Sequence, residues 1–475
     1  MLLVGAVPAL MLALLGALVW FSAYAFTQSP VTAVKIAIGL APVAAVLGRG
    51  LWVLLAKGDH PVRGVPVRED EQPELWALVR ELARTAGTAP PDDLRVTADA
   101  NAAVMEDTRL LGLVALRRRM FIGAPLLAEM RADGLAAVIT HELAHYGNRD
   151  TRLAGAAYRS RRAFARTLTA IDRDDLLQRA LHFLLRPYGA FVLRASADLS
   201  RRQERAADAA AAEAVGSAAA AAAFRELASI AASWALFRDH HLVAGWDADR
   251  LPADPFGGYR RLRASLPDLP ADPPHEADPY DTHPPMGERI AAVAALSAAG
   301  TVRVPAVPAL GLLRGPAPLL DAALLDDLGP EARSKRRADW PALIRDGALA
   351  SLTEHTDLVL ANASRATGRP PSLRTLLDAL DAGLLAELGA DPGGPGLPSD
   401  GPRVRRERAR LLVRAGLEGA VVAALTGAGA IRWRESWPAA GAMHLDERVR
   451  DPLPELIDAA VSDRPDTARL RALLG

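Results

Sequence analysis

The sequence predicts a mainly α-helical protein with a small β-sheet, in which a pair of membrane-spanning helices precedes globular regions. A length of 475 residues exceeds one ordinary compact domain, so we expect two or three modules. Apolar residues recur at helical spacing through most of the chain after residue 70. Two short runs, Leu94 to Ala98 and Arg119 to Gly123, have the composition of strands and supply the sheet.

The N-terminal region is predicted to form a transmembrane helical hairpin. Residues 2–26 carry no charged side chain, and about 20 apolar residues in a helix suffice to cross a bilayer. Residues 31–56 form a second candidate span, which Lys35 and Arg49 interrupt. The alternative is a cleaved secretory signal, for which Ala23-Tyr24-Ala25 offers a cleavage pattern. No positive charge precedes the apolar run, however, and the run is long for a signal core.

The distribution of charge predicts an orientation and excludes some functions. Residues 27–34 carry no basic side chain, whereas basic residues follow the second span, so we expect a multi-pass protein of the cell membrane with both termini and the globular regions in the cytoplasm. These basic residues are Lys57, Arg63 and Arg68. The 56 basic and 56 acidic side chains cancel, which argues against a nucleic-acid partner. Because cysteine is absent, disulfides, thiolate metal sites and a cysteine nucleophile are excluded.

Three regions are predicted along the chain. Residues 1–60 form the hairpin, 61–299 a globular domain, and 300–475 a mostly helical C-terminal region of unknown role with a linker at 389–402. Residues 154–195 are expected to be helical and either buried or interfacial. The segment Leu251 to Pro285 is rich in Pro, Asp and Gly and is predicted as a loop. Further predicted helices are Pro73 to Gly87, Asp133 to Tyr146, Ser196 to Val215, and Met286 to Ala299.

The string His141-Glu142-Leu143-Ala144-His145 carries the most specific chemical signal in the chain. Residues four apart share one face of a helix, so His141 and His145 can bind the same metal ion. Glu142 would then lie beside the open coordination position and act as general base on a metal-activated water. The alternative is that the two histidines simply lie on a helix surface and bind no metal. The string predicts one Zn²⁺ per chain.

A third metal ligand is predicted on a later helix. An extension of the string to a third histidine is absent, because Asn148 and Thr151 occupy the positions where such sites have Gly and His. Glu204 and Asp208 lie four apart on a predicted helix and therefore share a face. We expect Glu204 to bind the metal and Asp208 to orient a ligand histidine. Taken alone, such a pair on an Arg-rich helix more often forms a solvated face.

Three motifs in this order resemble the HtpX-like membrane zinc endopeptidases, relatives of the CAAX prenyl endopeptidases. The motifs are residues 141–150, residues 200–208, and Thr282-His283-Pro284-Pro285-Met286-Gly287-Glu288-Arg289-Ile290. Asn101-Ala102-Ala103 and residues 123–127 also fit the family. The resemblance covers roughly residues 70 to 298 and the N-terminal hairpin. Further hydrophobic spans between the two metal-binding helices, typical of bacterial members, are not evident here, and residues 300–475 have no counterpart.

The resemblance implies a zincin-like metallopeptidase domain and a set of residue roles. It implies zinc ligands at His141, His145 and Glu204, with Glu142 as the catalytic base. It also implies that His283 and Arg289 donate hydrogen bonds to the oxyanion formed during peptide hydrolysis. The residues Asn101, Ala102 and Ala103 are expected on an edge strand that pairs with an extended substrate.

The sequence thus predicts a membrane-anchored zinc endopeptidase that acts on polypeptides at the lipid bilayer, in membrane or misfolded proteins. One alternative is a non-catalytic membrane scaffold with a structural zinc site. Retention of Glu142 speaks against it, because a structural site does not require a general base. The other alternative is a CAAX-type prenyl-protein protease. Two candidate spans are too few for the intramembrane chamber that such an enzyme would need.

Overall fold

The chain is mainly helical with a small β-sheet, which confirms the predicted fold class. The computed structural model describes residues 2–31, 33–35, 38, 40–41, 44–45, 47–48, 62–109, 114–147, 197–198, 200–266, 284–390, 401–437, 442–445 and 447–475. Two compact units are present: Met1–Ala232 with Asp268–Leu328, and Ser233–Pro267 with Gly329–Gly475. We call them the first and the second unit. The division into regions 1–60, 61–299 and 300–475 stays a prediction.

The first unit contains a four-stranded sheet and the helices that surround it. Its strands are β1 (Val65–Pro66), β2 (Asp93–Thr97), β3 (Ala102–Arg109) and β4 (Val114–Gly123). Its helices are Leu2–Gln28, Pro73–Thr85, Ala124–Glu129, Ala132–Gly147, a helix over residues 200–215, Met286–Ala295 and Pro316–Leu328. The helix Ser217–Phe237 contains the boundary between the two units. We call Ala132–Gly147 the His helix, residues 200–215 the Glu helix and Met286–Ala295 the Arg helix.

The sheet has the strand order β1-β2-β4-β3, so β3 is an edge strand within the described part of the chain. β2 and β4 run parallel, whereas β1 and β3 are antiparallel to their neighbours. One face is apolar and buried at Leu94, Val96, Met120 and Ile122. Because side chains alternate along a strand, the residues between these four lie on the opposite face. The predicted runs 94–98 and 119–123 are confirmed as β2 and the end of β4.

The helix Pro73–Thr85 follows the predicted pattern. Proline occupies its first turn, where the missing N–H costs nothing. Leu75, Val79 and Leu82 lie on one face and are fully buried. The helix packs against the His helix, which begins at Ala132, one residue before the predicted start at Asp133.

The Glu helix ends where the sequence predicts. Gly216 stops it with a φ of +94°, a conformation that residues with a side chain rarely adopt. A Cβ atom at Gly216 would also lie only 3.2 Å from the carbonyl oxygen of Ala299. The Arg helix ends at Ala295, four residues before the predicted end at Ala299. Residues 154–195 lie outside the described residues.

The N-terminal helix Leu2–Gln28 is continuous over 27 residues. The described positions between 30 and 48 are helical, and residues 49–61 lie outside the described chain. Within the described residues, Ser217–Ala248 is the one helical stretch long and apolar enough to span a bilayer, and Leu12–Gln28 is a shorter apolar segment. Phe224 and Phe237 in the former stretch are buried, as in an interior helix of a globular unit. The second span, and therefore the hairpin, stays a prediction.

The second unit is helical with two small sheets. Its strands are β5 (Arg250–Pro252) and β6 (Arg336–Ala338), which pair in parallel, and β7 (Ile431–Arg434) and β8 (Ala442–Leu445), which pair antiparallel. Its helices are Pro255–Ser265, Trp340–Thr367, Leu373–Asp381, Leu385–Leu388, Pro402–Gly427, Glu447–Arg450, Leu453–Ala460 and Ala468–Leu474.

The two long helices Trp340–Thr367 and Pro402–Gly427 approach each other closely at a glycine. A Cβ atom on Gly416 would lie 2.4 Å from Val359 Cγ2 and 2.6 Å from the carbonyl oxygen of His355, which neither atom could accommodate without a backbone shift. The core around this contact consists of fully buried apolar side chains, among them Leu417. Leu417 therefore belongs to the interior of the second unit.

The loop predicted for Leu251 to Pro285 is wrong at its start. Residues 255–265 form a helix, which Asp254 caps by accepting a hydrogen bond from the Gly257 N–H at 2.9 Å. Phe256 and Tyr259 bury its apolar face. Pro255 lies in the first turn of this helix, where proline is favoured. The high proline content of the segment had predicted a loop. Residues 267–283 lie outside the described residues.

Candidate metal centre

The His helix brings two imidazole rings together. His141 and His145 lie one turn apart on the same face, and their Nε2 atoms are 3.3 Å apart. His141 is buried and His145 is partly exposed, so the space between the rings opens on one side. The helix places these atoms as the four-residue spacing predicts.

Glu204 on the Glu helix completes the cluster. Its Oε2 atom lies 3.6 Å from His141 Nε2, and its Oε1 atom lies 3.7 Å from His145 Nε2. All three ligand atoms lie within 4.8 Å of one another, so they can surround one ion. Two imidazole nitrogens and one carboxylate oxygen are a donor set of catalytic zinc sites, and the residues therefore fit zinc.

Asp208 fixes the orientation of His141. Its Oδ1 atom lies 3.0 Å from His141 Nδ1, on the side of the ring that faces away from Glu204. An N–H at Nδ1 donates to this carboxylate, which leaves Nε2 unprotonated and directed at the cluster. The carboxylate is 3% exposed. Burial raises the pKa of Asp208, but hydrogen bonds from His141 and Arg289 outweigh burial and hold it below its usual range.

Arg289 on the Arg helix holds the Asp208 carboxylate from the other side. Its Nη2 atom donates to Asp208 Oδ1 at 2.7 Å, and its Nε atom donates to Oδ2 at 3.0 Å. Its Nη1 atom lies 3.5 Å from Glu204 Oε2. Burial lowers the pKa of the guanidinium, but its hydrogen bonds to Asp208 and the charges of the nearby carboxylates raise this pKa above its usual value. Arg289 therefore connects the ligand Glu204 to the carboxylate that orients His141.

Phe224 supplies the apolar wall of this network. The edge of its ring meets His141 with 5.9 Å between ring centroids, and the Arg289 guanidinium lies over it at 5.1 Å. The side chain is 1% exposed. Sequence analysis did not predict this residue, because an aromatic side chain on a helix usually indicates only core packing.

Residues 69–297 match the sequence model of peptidase family M48. This span carries a family M48 peptidase domain. Members of the family are zinc-dependent metallopeptidases that act on polypeptides, which agrees with the donor set described above. Comparisons with curated proteins and with solved structures gave no match.

Glu142 of the M48 domain is half-buried beside the first histidine. Its negative charge contributes to the raised pKa of Arg289, so its carboxylate acts electrostatically on the same network. His283 lies outside the described residues, and its predicted role stays a prediction.

The edge strand of the M48 domain carries two of the three residues predicted to bind substrate. Ala102 is buried and Ala103 is exposed on β3. Asn101 immediately precedes the strand, and its carbonyl oxygen accepts a hydrogen bond from the Gly123 N–H at 2.8 Å. The backbone groups of successive residues in an antiparallel strand alternate in direction, so Ala102 and Val104 direct their N–H and C=O groups away from β4.

Tyr146 connects the His helix to this edge strand. The residue follows His145, is 2% exposed, and donates its hydroxyl to the carbonyl oxygen of Arg119, with the carbonyl oxygen of Met105 at 3.3 Å. Burial raises the pKa of the phenol. The Arg118 guanidinium lies 5.3 Å from its ring centroid. Sequence analysis missed this residue because nothing in the local pattern shows which carbonyl oxygens a tyrosine reaches.

Proposed function

We propose that the protein is a membrane-anchored zinc endopeptidase that hydrolyses peptide bonds in membrane or misfolded proteins. The convergence of His141, His145 and Glu204 within an M48 domain carries this proposal. The three ligands leave room in a tetrahedral site for water or a substrate carbonyl. A structural zinc site would instead be closed by a fourth protein ligand.

Glu142 is the proposed general base of the reaction. Bound zinc supplies a Lewis acid that lowers the pKa of water and polarises the scissile carbonyl. Glu142 takes a proton from the attacking water and delivers it to the nitrogen of the departing amine. Its position next to His141 in the chain supports this role, because the helix carries base and ligand on one rigid element.

Asp208 and Arg289 are proposed to keep the ligands in place. Asp208 holds one tautomer of His141, and Arg289 fixes Asp208 with two parallel hydrogen bonds. These contacts support a positioning role for Arg289 beside the oxyanion role that the family resemblance implies. His283 is the other proposed donor to the oxyanion.

The outer edge of β3 is the proposed binding site for an extended substrate. An added strand would pair with the N–H and C=O groups of Ala102 and Val104, and Asn101 would lie at the start of this ladder. Backbone pairing binds chains of many sequences, which suits a peptidase that acts on varied polypeptides.

Membrane anchoring is proposed from the N-terminal helix. The helix Leu2–Gln28 exposes large apolar side chains, among them Trp20 and Phe26. Exposed apolar patches of this kind are typical of surfaces that contact lipid or another protein. We infer a second span over residues 31–56 and a cytoplasmic peptidase domain from the positive charges that follow it.

The proposal is tested with the full chain purified in detergent and incubated with casein. We expect chelator-sensitive cleavage and near-stoichiometric zinc. Glu142→Gln should retain zinc and lose about 10²–10⁴-fold in cleavage rate, because only the proton transfer is removed. Glu204→Ala should lose most of the zinc. Glu213→Gln, the same amide substitution at an exposed position on the Glu helix, is the control and should behave as wild type.

Two results would contradict the proposal in different ways. Cleavage that persists in the Glu142→Gln protein and in chelator would end the metallopeptidase mechanism. Stoichiometric zinc without any cleavage that depends on Glu142 would instead favour the membrane scaffold.

A further inference from the structure

A cleft of about 620 Å³ opens beside the edge strand of the first unit. Its lining includes Arg63, Asn101, Ala103, Met105, Arg119 and Phe121. Met105 is 44% exposed there, which is unusual for a large apolar side chain on a sheet. The cleft shares Asn101, Ala102 and Ala103 with the proposed substrate edge.

The register of the sheet places the cleft on one face. Ala103 pairs with Phe121, and Met105 pairs with Arg119, so these four side chains form two neighbouring rows. Ala102 pairs with Ile122, and both side chains point to the buried face. The cleft therefore covers the sheet face opposite the apolar core.

A substrate strand on β3 would direct alternate side chains into this cleft. Residues opposite each other in a sheet place their side chains on the same face. The substrate residue opposite Ala103 would consequently point to the face of Phe121 and Met105. Alanine leaves room at this position that a larger side chain would fill.

The chemistry of the cleft restricts what can enter. Phe121, Met105 and Ala103 provide apolar surface, whereas Arg63 and Arg119 provide positive charge and Asp99 provides one negative charge. Arg119 belongs to a cluster on this face in which three arginines share one carboxylate.

That carboxylate is Asp93. Its Oδ2 atom lies 3.1 Å from Arg95 Nε, 3.6 Å from Arg117 Nη2 and 3.6 Å from Arg119 Nε. A cationic side chain entering the cleft would approach like charges, which is unfavourable in a partly buried site.

We propose that this cleft is a specificity subsite, which accepts a large apolar substrate side chain opposite Ala103 and rejects lysine and arginine. The inference rests on the proposed endopeptidase function. It adds a substrate class that neither the metal ligands nor the family defines.

The test uses the full zinc-loaded chain in detergent with a complex mixture of peptides, and mass spectrometry locates every cut. At one position relative to the cleaved bond, we expect Phe, Leu and Met to be enriched and Lys and Arg depleted. Ala103→Trp should fill the cleft and reduce the enrichment of large apolar residues about tenfold or more, with other positions unchanged. Arg63→Glu, at an exposed residue, should make Lys and Arg acceptable at that position.

A matched control separates the cleft from general effects. Arg84→Glu makes the same charge change at an exposed position on the helix Pro73–Thr85, outside the cleft lining and the Asp93 cluster, and it should leave the preference unchanged. Zinc content and circular dichroism verify that each variant is folded, and Ala103→Leu replaces Ala103→Trp if the latter is not.

The outcomes distinguish the two proposals. Cleavage that depends on Glu142 but shows no preferred position, or a preference that survives Ala103→Trp, overturns the subsite and leaves the peptidase intact. Absence of any cleavage that depends on Glu142 overturns both.

Discussion

The two units differ in the charge that they bury. Within the described residues, the first unit buries the acidic side chains of Asp93, Glu106, Glu204 and Asp208, whereas no acidic residue of the second unit is buried. The second unit buries one cation, Lys335, whose ammonium group lies 3.0 Å from a Glu331 oxygen and over the Trp246 ring. Removing a charge from water costs free energy that pairing only partly offsets, so the first unit carries more of this cost than the second.

Two arginine–aspartate pairs, one in each unit, differ in burial in the same way. Arg289 and Asp208 in the first unit are 10% and 5% exposed, and they lie against a metal ligand. Arg471 and Asp378 in the second unit, at a similar distance of 2.8 Å, are both 33% exposed. Geometry alone does not make a pair functional. Burial beside a ligand makes Arg289 and Asp208 sensitive to substitution.

The largest expected effect on stability lies in the second unit. Leu417→Ala removes a fully buried side chain from the helical core and should lower the free energy of unfolding by about 2–5 kcal/mol. Chemical denaturation followed by circular dichroism measures this change. Zinc content at 25 °C should stay at the wild-type level, because His141, His145 and Glu204 all belong to the first unit.

Leu411→Ala is the control for this prediction. Leu411 lies on the same helix but is 66% exposed, so its truncation should have little effect on unfolding. Loss of zinc from the Leu417→Ala protein would contradict the prediction, because it would show that metal binding in the first unit depends on the core of the second.

The next effect concerns the metal centre. Asp208→Asn removes the charge that orients His141 and should weaken zinc binding about 10–100-fold. Competition with a chromophoric chelator measures the affinity. Asp198→Asn is the matched control, because this carboxylate is 65% exposed and its partner among the described residues is Arg201, three positions along the chain. Equal affinity in wild type and Asp208→Asn would remove Asp208 from the site.

A smaller effect is expected from a buried histidine in the second unit. Burial lowers the pKa of His241 below its ordinary value, and the neighbouring His240 lowers it further, while a hydrogen bond to the Trp437 backbone acts in the opposite direction. Between the lowered folded pKa and about 6.5, the unfolded chain binds a proton that the folded chain does not. The free energy of unfolding should therefore decrease as the pH falls through this range.

His241→Phe should reduce this pH dependence. The substituted ring can keep the contacts with Phe237 and Trp437, 6.0 and 5.5 Å away. Thermal unfolding at pH 5 and pH 8, in chelator so that zinc ligands do not contribute, compares the slopes. His355→Phe, at an exposed histidine, should leave the slope as in wild type. An identical slope in His241→Phe would contradict the prediction.

The smallest effect on stability is expected for the half-buried pair of Arg471 and Asp378. Arg471→Ala should leave the unfolding midpoint and the zinc affinity within experimental error of wild type, because solvent and salt screen exposed ion pairs. Unfolding at low and high salt checks the result. A clear loss of stability at low salt would show that the surface network of the second unit, and not only its core, stabilises it.

Local patterns allowed part of this structure to be predicted. The face shared by His141 and His145 follows from helix periodicity, and so does the shared face of Glu204 and Asp208. Periodicity cannot show which residue on another helix reaches Asp208. The two hydrogen bonds from Arg289 to this carboxylate therefore became evident only from the three-dimensional structure. The helix that begins at Pro255 was missed because proline serves both loops and first turns.

The hydroxyl of Tyr146 has a consequence for the products of the enzyme. One residue after the candidate ligand His145, it contacts carbonyl oxygens of both β3 and β4, and so helps to fix the distance from the candidate metal site to the proposed substrate strand. A chain paired with that strand would be cut at a constant offset from its paired residues, whatever its sequence. Fragments would then differ in composition but share the same count from the anchoring residues to the new terminus.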